Sequence, residues 1–512
     1  MASDIDTATP ERDPRRALWS SLLSALGRLI PVFRRAPRAA ANESPSLLRR
    51  RRSTGRRYSP LTRRILLLNI VPVALLALGA VYLSDYEEEL IDAELASLLV
   101  QGEMVAAGIS EVAVVGGGYA GLSCALELAR RHISCTVFDA EAIGYGASSR
   151  NAGMVSGGIN VGKGIDITAT YGADRAKAMI DEAGQAYGHM EQILEREGID
   201  ARYQRFGRFV GAHSRQQFGM LERRAAWLAE TSGQSVEVIP EPRQREEIGT
   251  DFYRGGIVVN RAGGLHPAMY VRGLAQAAAR AGANLIGHTR VEAISGAQGR
   301  FLLATPRGNV EAREVMIATN GYTGQITPWI RRRLIPVASF IVATEELPEK
   351  VVAELIPKKR VIADTKRILY YFRLSPDGKR LLFGGRARFS QVGAKTSAPI
   401  LHRFMTTVFP QLAETKLTHA WTGNVAFSFD FMPHLGMNDG MHYAVACNGS
   451  GVIMQPWLGH QVALKIAGGT NRASAFDGLG FPTRPLYRGR PWFLPAVGAW
   501  YRWRDRIDRW LD

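Results

Sequence analysis

The stretch Val112-Ala-Val-Val-Gly-Gly-Gly-Tyr-Ala-Gly-Leu-Ser-Cys-Ala-Leu-Glu-Leu-Ala-Arg130, followed closely by Thr136-Val-Phe-Asp139, decides the fold of this 512-residue chain. Val112 to Val115 is an apolar, β-branched run that reads as a buried strand. Gly116 to Gly121 reads as a tight turn, and Leu122 to Arg130 has helical period with good helix formers. In a strand, turn and helix of this kind, Gly116 permits the turn and Gly118 lets the backbone approach a pyrophosphate. Gly121 lets helix and strand pack closely, so that free N–H groups at the helix N-terminus meet the phosphates. Asp139 ends a second apolar strand eighteen residues after Gly121, where an acid accepts hydrogen bonds from ribose hydroxyls. Strand, glycines, helix and acid stand in register for a dinucleotide.

The next segment, Gly144-Tyr-Gly-Ala-Ser-Ser-Arg-Asn-Ala-Gly-Met-Val-Ser-Gly-Gly158, holds too many glycines and small polar residues for a third regular strand. It reads as an extended loop lying against the cofactor, which a nicotinamide domain has no need of. Here the chain resembles the D-amino-acid-oxidase-like family of FAD-dependent oxidoreductases, whose members carry a similar loop ending in Arg-Asn-Gly/Ala-Gly. Further motifs follow in family order: Gly264-Leu-His-Pro267, Val315 to Tyr322, Tyr370-Tyr-Phe-Arg373, Leu382-Phe-Gly-Gly-Arg386, Trp421-Thr-Gly423, Asp430-Phe-Met-Pro433 and Asn448-Gly-Ser-Gly-Val452. They are most similar to the gamma-glutamylputrescine oxidoreductase subgroup, as is the tryptophan-rich basic tail Trp492 to Trp510. The chain departs from the subgroup at Ala446-Cys-Asn-Gly-Ser-Gly451, where a tyrosine and a histidine are missing.

The resemblance implies FAD as cofactor, held non-covalently, and an α/β fold in which a Rossmann-like FAD-binding domain interleaves with an α+β substrate domain built on a mainly antiparallel sheet. It places the cofactor on Gly116, Gly118, Ala120, Gly121, Asp139, Ala140, Ser148, Arg150, Asn151, Val291, Ala318, Thr319, Asn320, Gly449, Gly451 and Val452. The FAD domain is expected over residues 111–172, 263–325 and 418–469. The substrate domain is expected over 173–262 and 326–417, and a C-terminal tail over 470–512. For the reaction the candidates are His266, Tyr371, Arg373 and Trp421, with Tyr322 as a second aromatic wall. His266 opens a helix, where it contacts substrate or serves as a structural cap. Arg373 shares a predicted strand face with Tyr371, where it suits a substrate carboxylate or forms an exterior salt bridge. The implied activity is oxidation of the C–N bond of a gamma-glutamylputrescine-like amine, with oxygen or another acceptor reoxidising the flavin. Oxidation of an amino acid or an N-methyl amine is the alternative within this fold, and a non-enzymatic membrane fusion with an impaired flavin domain is the alternative outside it.

The front of the chain is of another kind. Ile65 to Leu83 is uncharged for nineteen residues, enough to cross a bilayer as a helix. Together with the following segment to Gly108 it resembles the N-terminus of a membrane-bound bacterial sensor histidine kinase, without that protein's kinase machinery. The join falls near Ile109 to Glu111. The first sixty-four residues hold fifteen arginines, no lysine and five acids, out of a chain net charge of +17. Residues 1–60 read as a disordered basic arm beside an anionic membrane, or as a solvated tail, and no nucleic-acid partner is expected. A single-pass membrane protein is the expectation, with a cytoplasmic enzyme if translation starts at Met104. The arginines before the span put the N-terminus in the cytoplasm and the flavin domain outside. Cys124, Cys135 and Cys447 are scattered, with neither disulfide nor metal spacing, and no metal is expected.

Overall fold

The computed structural model describes residues 109–157, 165–232, 235–389, 391–468 and 473–512. The basic arm and the apolar span at 65–83 lie outside the described residues. Among the described residues no helix is long and apolar enough to cross a membrane.

The first sheet is built on the strand Ile109–Val115, which pairs in parallel with Cys135–Phe138 on one side and with Gly308–Ile317 on the other. The order across it is His434–Asn438, Met441–Val445, Gly308–Ile317, Ile109–Val115, Cys135–Phe138 and Asn284–Ile286. Strands buried on both faces carry continuous apolar runs, as Val112 to Val115 and Cys135 to Phe138 do. One face is covered by the helix Tyr119–Arg130, crossed in turn by Gly451–Ile466. Those two helices touch backbone to backbone, since a Cβ on Gly459 would stand 2.0 Å from the Ala120 carbonyl oxygen.

The second sheet has the order Leu417–Ser428, Leu334–Thr344, Leu381–Gly385, Tyr370–Leu374, Val361–Asp364, Arg208–Gly211, Gly256–Val259 and Val236–Ile239. It is antiparallel except where Val361–Asp364 runs parallel to Arg208–Gly211. Its outer face packs under the helix Ala394–Val408 through Tyr370, Phe372, Phe383, Phe404 and Phe409.

Two segments sit elsewhere than the sequence boundaries put them. Leu417–Ser428, expected with the cofactor segments, pairs along its whole length with Leu334–Thr344 in the second sheet, and the chain returns to the first sheet only at His434. The helix Ala173–Arg196, expected in the substrate domain, buries Met179, Tyr187 and Met190 in one core with Leu122, Leu128 and Leu458. In both cases the partner of an apolar face decided the placement, and a linear boundary does not reveal that partner. A short antiparallel pair, Met154–Ser156 with Ala262–Gly264, gives the expected loop a regular end.

Candidate active site

The turn after the first strand has the geometry its glycines require. Gly116 has φ of +115°, and a Cβ there would lie 2.7 Å from the Ala318 carbonyl oxygen. A Cβ on Gly121 would lie 2.0 Å from the Gly116 carbonyl oxygen and 3.0 Å from Val114, so the helix meets the strand only because Gly121 has no side chain. Gly118 faces Ser148, whose hydroxyl oxygen accepts a 3.0 Å hydrogen bond from the Tyr119 N–H at the first turn of the helix. Asp139 accepts from the Gly117 N–H at 2.9 Å and from the Glu141 N–H at 3.0 Å, and burial pushes its carboxyl above the ordinary value.

The remaining nominated residues gather round this turn in three groups. Ala140 follows Asp139, and Val291 is buried below in the core with Phe138 and Ile286. Arg150 and Asn151 end the small-residue loop. The Arg150 guanidinium lies 3.8 Å from the Tyr145 ring centre, and Asn151 folds the loop by accepting from the Gly153 N–H and donating to the Ala147 and Ser148 carbonyls. The Ala318 N–H donates to the Val115 carbonyl, continuing the strand pairing past Ile317. Asn320, with φ of +43°, accepts from the Ala446 N–H at 3.0 Å. That bond ties Thr319 and Asn320 to the third group, where Ala446, Asn448 and Gly449 all have positive φ before Gly451 and Val452 start their helix. One turn further on, the buried Gln455 amide nitrogen has no hydrogen-bond partner among the described residues. Glycine clearances, a carboxylate at the second strand end and an unsatisfied buried donor fit a dinucleotide cofactor laid along this line.

The second sheet closes over the same loop. Register sets Tyr371, Gly384, Ile341 and Trp421 in one row on one face, and Arg373 in the next row. The face is fixed by contact: the Trp421 indole N–H donates to the Arg150 carbonyl at 2.9 Å. Tyr371 lies flat across Gly384, where a Cβ would be 2.0 Å from its ring, and its hydroxyl is 2.7 Å from Ser339 Oγ. Burial pushes the Tyr371 phenol up to about 12. Tyr322 is 43% exposed and accepts through its hydroxyl from the Asn424 N–H, at 3.1 Å.

Two nominated residues are bonded to the protein itself. Arg373 is neither an exterior salt bridge nor open to a ligand. Its guanidinium donates to the Ala152 carbonyl at 2.6 Å and the Leu265 carbonyl at 2.7 Å, with a longer contact to Leu374, and burial lowers its pKa to about 10. His266 caps the helix Pro267–Arg280 by accepting from the Met269 N–H at 3.4 Å; burial, with the nearby Arg373 charge, lowers its pKa.

Arg386 was missed by sequence reading, although it lies within a motif the resemblance singles out. Its guanidinium stands 5.1 Å from the Phe427 ring, on the Trp421 face and near Tyr371, and it forms no ion pair among the described residues. Burial lowers its pKa. An arginine following a Gly-Gly strand end carries no mark in sequence that separates it from a surface charge. One cavity of about 500 Å³ lies beside His189 and Trp457, and one of about 630 Å³ lies beneath the C-terminal helix, where Arg386 lines it together with Tyr370, Phe404 and Asp505.

Residues 111–464 match the family described as FAD dependent oxidoreductase. The chain belongs to that family. It is 31% identical over 406 residues to gamma-glutamylputrescine oxidoreductase from Escherichia coli K12, covering 78% of this chain and 93% of that one. Its fold is that of glycine oxidase from Geobacillus kaustophilus, with a TM-score of 0.62 at 23% sequence identity over 74% of this chain and 99% of the other. Residues 50–115 match a second family, the sensor N-terminal transmembrane domain. There the chain is 48% identical over 58 residues to the sensor protein ChvG of Rhizobium meliloti, a stretch covering 11% of this chain and 10% of that protein. The flavoenzyme family thus begins inside the sensor match, at the first strand of the FAD sheet.

Proposed function

We propose that this flavoenzyme oxidises the C–N bond of a small amine bearing a distal carboxylate, a gamma-glutamylputrescine-like compound, to the imine. Bound FAD, held non-covalently, supplies a two-electron acceptor for the hydride leaving the carbon next to nitrogen. The glycine turn and Asp139 hold the dinucleotide, and the loop Ala147–Asn151, Thr319–Asn320 and Gly449–Val452 flank it. The row Tyr371, Gly384, Ile341 and Trp421 roofs the reacting carbon and excludes water. Gly384 makes room for Tyr371 to lie flat, which leaves its hydroxyl beside Ser339 at the edge of that roof.

The observation that carries the reading is Arg386, a cation on the roof face that forms no ion pair among the described residues, the Asp505 carboxylate in the cavity beside it being held by Arg367. A guanidinium largely removed from water favours a carboxylate ligand, which it binds through paired hydrogen bonds. Arg386 takes that role rather than Arg373, whose buried guanidinium already gives three of its five N–H donors to carbonyls.

Supported by the sensor-domain match, the reading also includes a single membrane span at 65–83 before the enzyme, and FAD and substrate layers divided as the two sheets divide. The test is the flavin spectrum of the purified full chain, recorded anaerobically before and after gamma-glutamylputrescine, putrescine, glycine or sarcosine. The expected result is bleaching by gamma-glutamylputrescine well ahead of putrescine. Bleaching by glycine or sarcosine instead assigns the chain to amino-acid oxidation, and a protein that binds no flavin removes the catalytic reading.

A further inference from the structure

The C-terminal helix Leu494–Trp510 is amphipathic in an unusual sense: its acids face the protein and its tryptophans face out. Asp505 accepts from the Arg367 and Ile368 backbone N–H groups, each at 3.1 Å. Asp508 accepts from the Gln217 amide at 3.1 Å, and Asp512, just past the helix, from Arg254 at 2.7 Å. Gly498 seats the Phe389 ring, where a Cβ would stand 2.0 Å from it. The helix is therefore fixed in place by its acidic face.

On the opposite side, helical spacing brings Trp500, Trp503, Ile507 and Trp510 onto one stripe. Trp500 is 54% exposed, Trp503 50% and Trp510 84%. Exposed tryptophans in a group cost solubility and mark a contact surface. Arg502 and Arg506, both exposed, flank the stripe on the side where they also border the cavity beneath the helix, Arg504 flanks it on the other, and none of the three forms an ion pair among the described residues. The acidic side chains Asp505, Asp508 and Asp512 are all turned inward, so the outward face of the helix carries indoles, smaller apolar side chains and guanidinium groups.

We infer that this face lies on an anionic lipid bilayer, with the indoles at headgroup depth and the arginines on lipid phosphates. Tryptophan favours that depth because its ring is apolar while its N–H still finds water or a headgroup, and arginines beside it gain from negative surface charge. The charge complementarity argues for a bilayer of acidic lipid over a neutral one. The inference rests on residues 494–512 and is independent of the amine reading and of the span at 65–83.

The test uses the full chain with vesicles of phosphatidylglycerol or phosphatidylcholine whose acyl chains carry bromine, a quencher of indole emission at short range. The emission of the three tryptophans is taken as the wild-type signal minus that of W500F/W503F/W510F. An anchor at 65–83 brings the protein to both kinds of vesicle, so the comparison reads the helix alone. The expected result is that brominated phosphatidylglycerol quenches this emission several-fold more than brominated phosphatidylcholine, and that R502E/R506E needs about tenfold more lipid for the same quenching. Equal quenching by both lipids, or none by either, overturns the inference. So does an emission shift with soluble heparin and no quenching by the brominated lipid, which assigns the face to a soluble polyanion.

Discussion

Replacing Arg373 by methionine separates a brace from a substrate ligand. The two short bonds from its guanidinium run to Ala152, at the end of the cofactor loop, and to Leu265, just before the helix that His266 caps. They cross from the second sheet to the segments that carry the first. Methionine fills much of the volume but leaves two buried carbonyl oxygens bare, at about 1–3 kcal/mol each, so the loss is about 4 kcal/mol. At about 2–4 °C per kcal/mol for domains of this size, the melting temperature falls by roughly 10 °C. The flavin loop loses its tether, so FAD content falls as well. Differential scanning fluorimetry and the flavin-to-protein absorbance ratio measure both. The matching variant Arg386→Met removes no protein hydrogen bond that the structure shows; its melting temperature stays within a few degrees while KM rises at least tenfold for a carboxylated amine and little for putrescine. The reasoning fails if Arg373→Met keeps its stability and FAD while losing affinity for the carboxylated substrate, because Arg373 would then be the substrate's partner.

Three further perturbations follow from the same geometry. Gly121→Ala forces a methyl against the Gly116 carbonyl and costs about 3 kcal/mol or more; the purified variant should be colourless, and a yellow one of wild-type melting temperature refutes the close-packing argument. Asp139→Ala strands the Gly117 and Glu141 N–H groups and removes the acid expected on the ribose; flavin titration of the apoprotein should show at least a tenfold weaker Kd, on the order of 1.4 kcal/mol or more. His213 joins the C-terminal helix to the second sheet through its ring and the Asp505 carbonyl, 3.1 Å away. Burial, followed by the Lys366 charge, holds its pKa at about 4. The unfolded chain binds a proton near pH ~6.5 and the folded one only near 4, so the stability from neutral His213 is present above pH ~6.5 and is lost as the pH falls toward 4. His213→Gln should flatten the fall in melting temperature across that window, and an unchanged slope would mean other groups carry it.

The FAD half was legible because its constraints are local. A turn that must pass between a strand and a helix at backbone contact requires glycine at Gly116 and Gly121, and the requirement is written at fixed spacing whatever surrounds it. The small-residue loop was legible for the same reason, since Asn151 satisfies its neighbours' backbone groups from within the loop. The second sheet was harder. Alternation correctly put Tyr371 and Arg373 on one face, but alternation says nothing of what stands opposite. Two positions along one strand meet different surroundings: Tyr371 reaches across Gly384 to Ser339, whereas Arg373 meets the carbonyls of Ala152 and Leu265, contributed from more than a hundred residues away.

The same limit explains why Arg386 escaped notice while Arg373 did not. An arginine inside Tyr-Tyr-Phe-Arg looks buried and purposeful, and it is buried, but it is held by three backbone carbonyls. An arginine after Gly-Gly looks like a loop charge. Its environment comes from Phe427 on one side, which reaches it because Leu417–Ser428 joins the second sheet rather than the first, and from the cavity beneath the C-terminal helix on the other. Had that strand paired with the FAD sheet, as a linear reading of the boundary has it, Phe427 and Trp421 would leave this face together, and Arg386 would lose its aromatic neighbour. Strand partnership, a long-range property, thus fixes both the edge of the second sheet and the aromatic neighbour of Arg386.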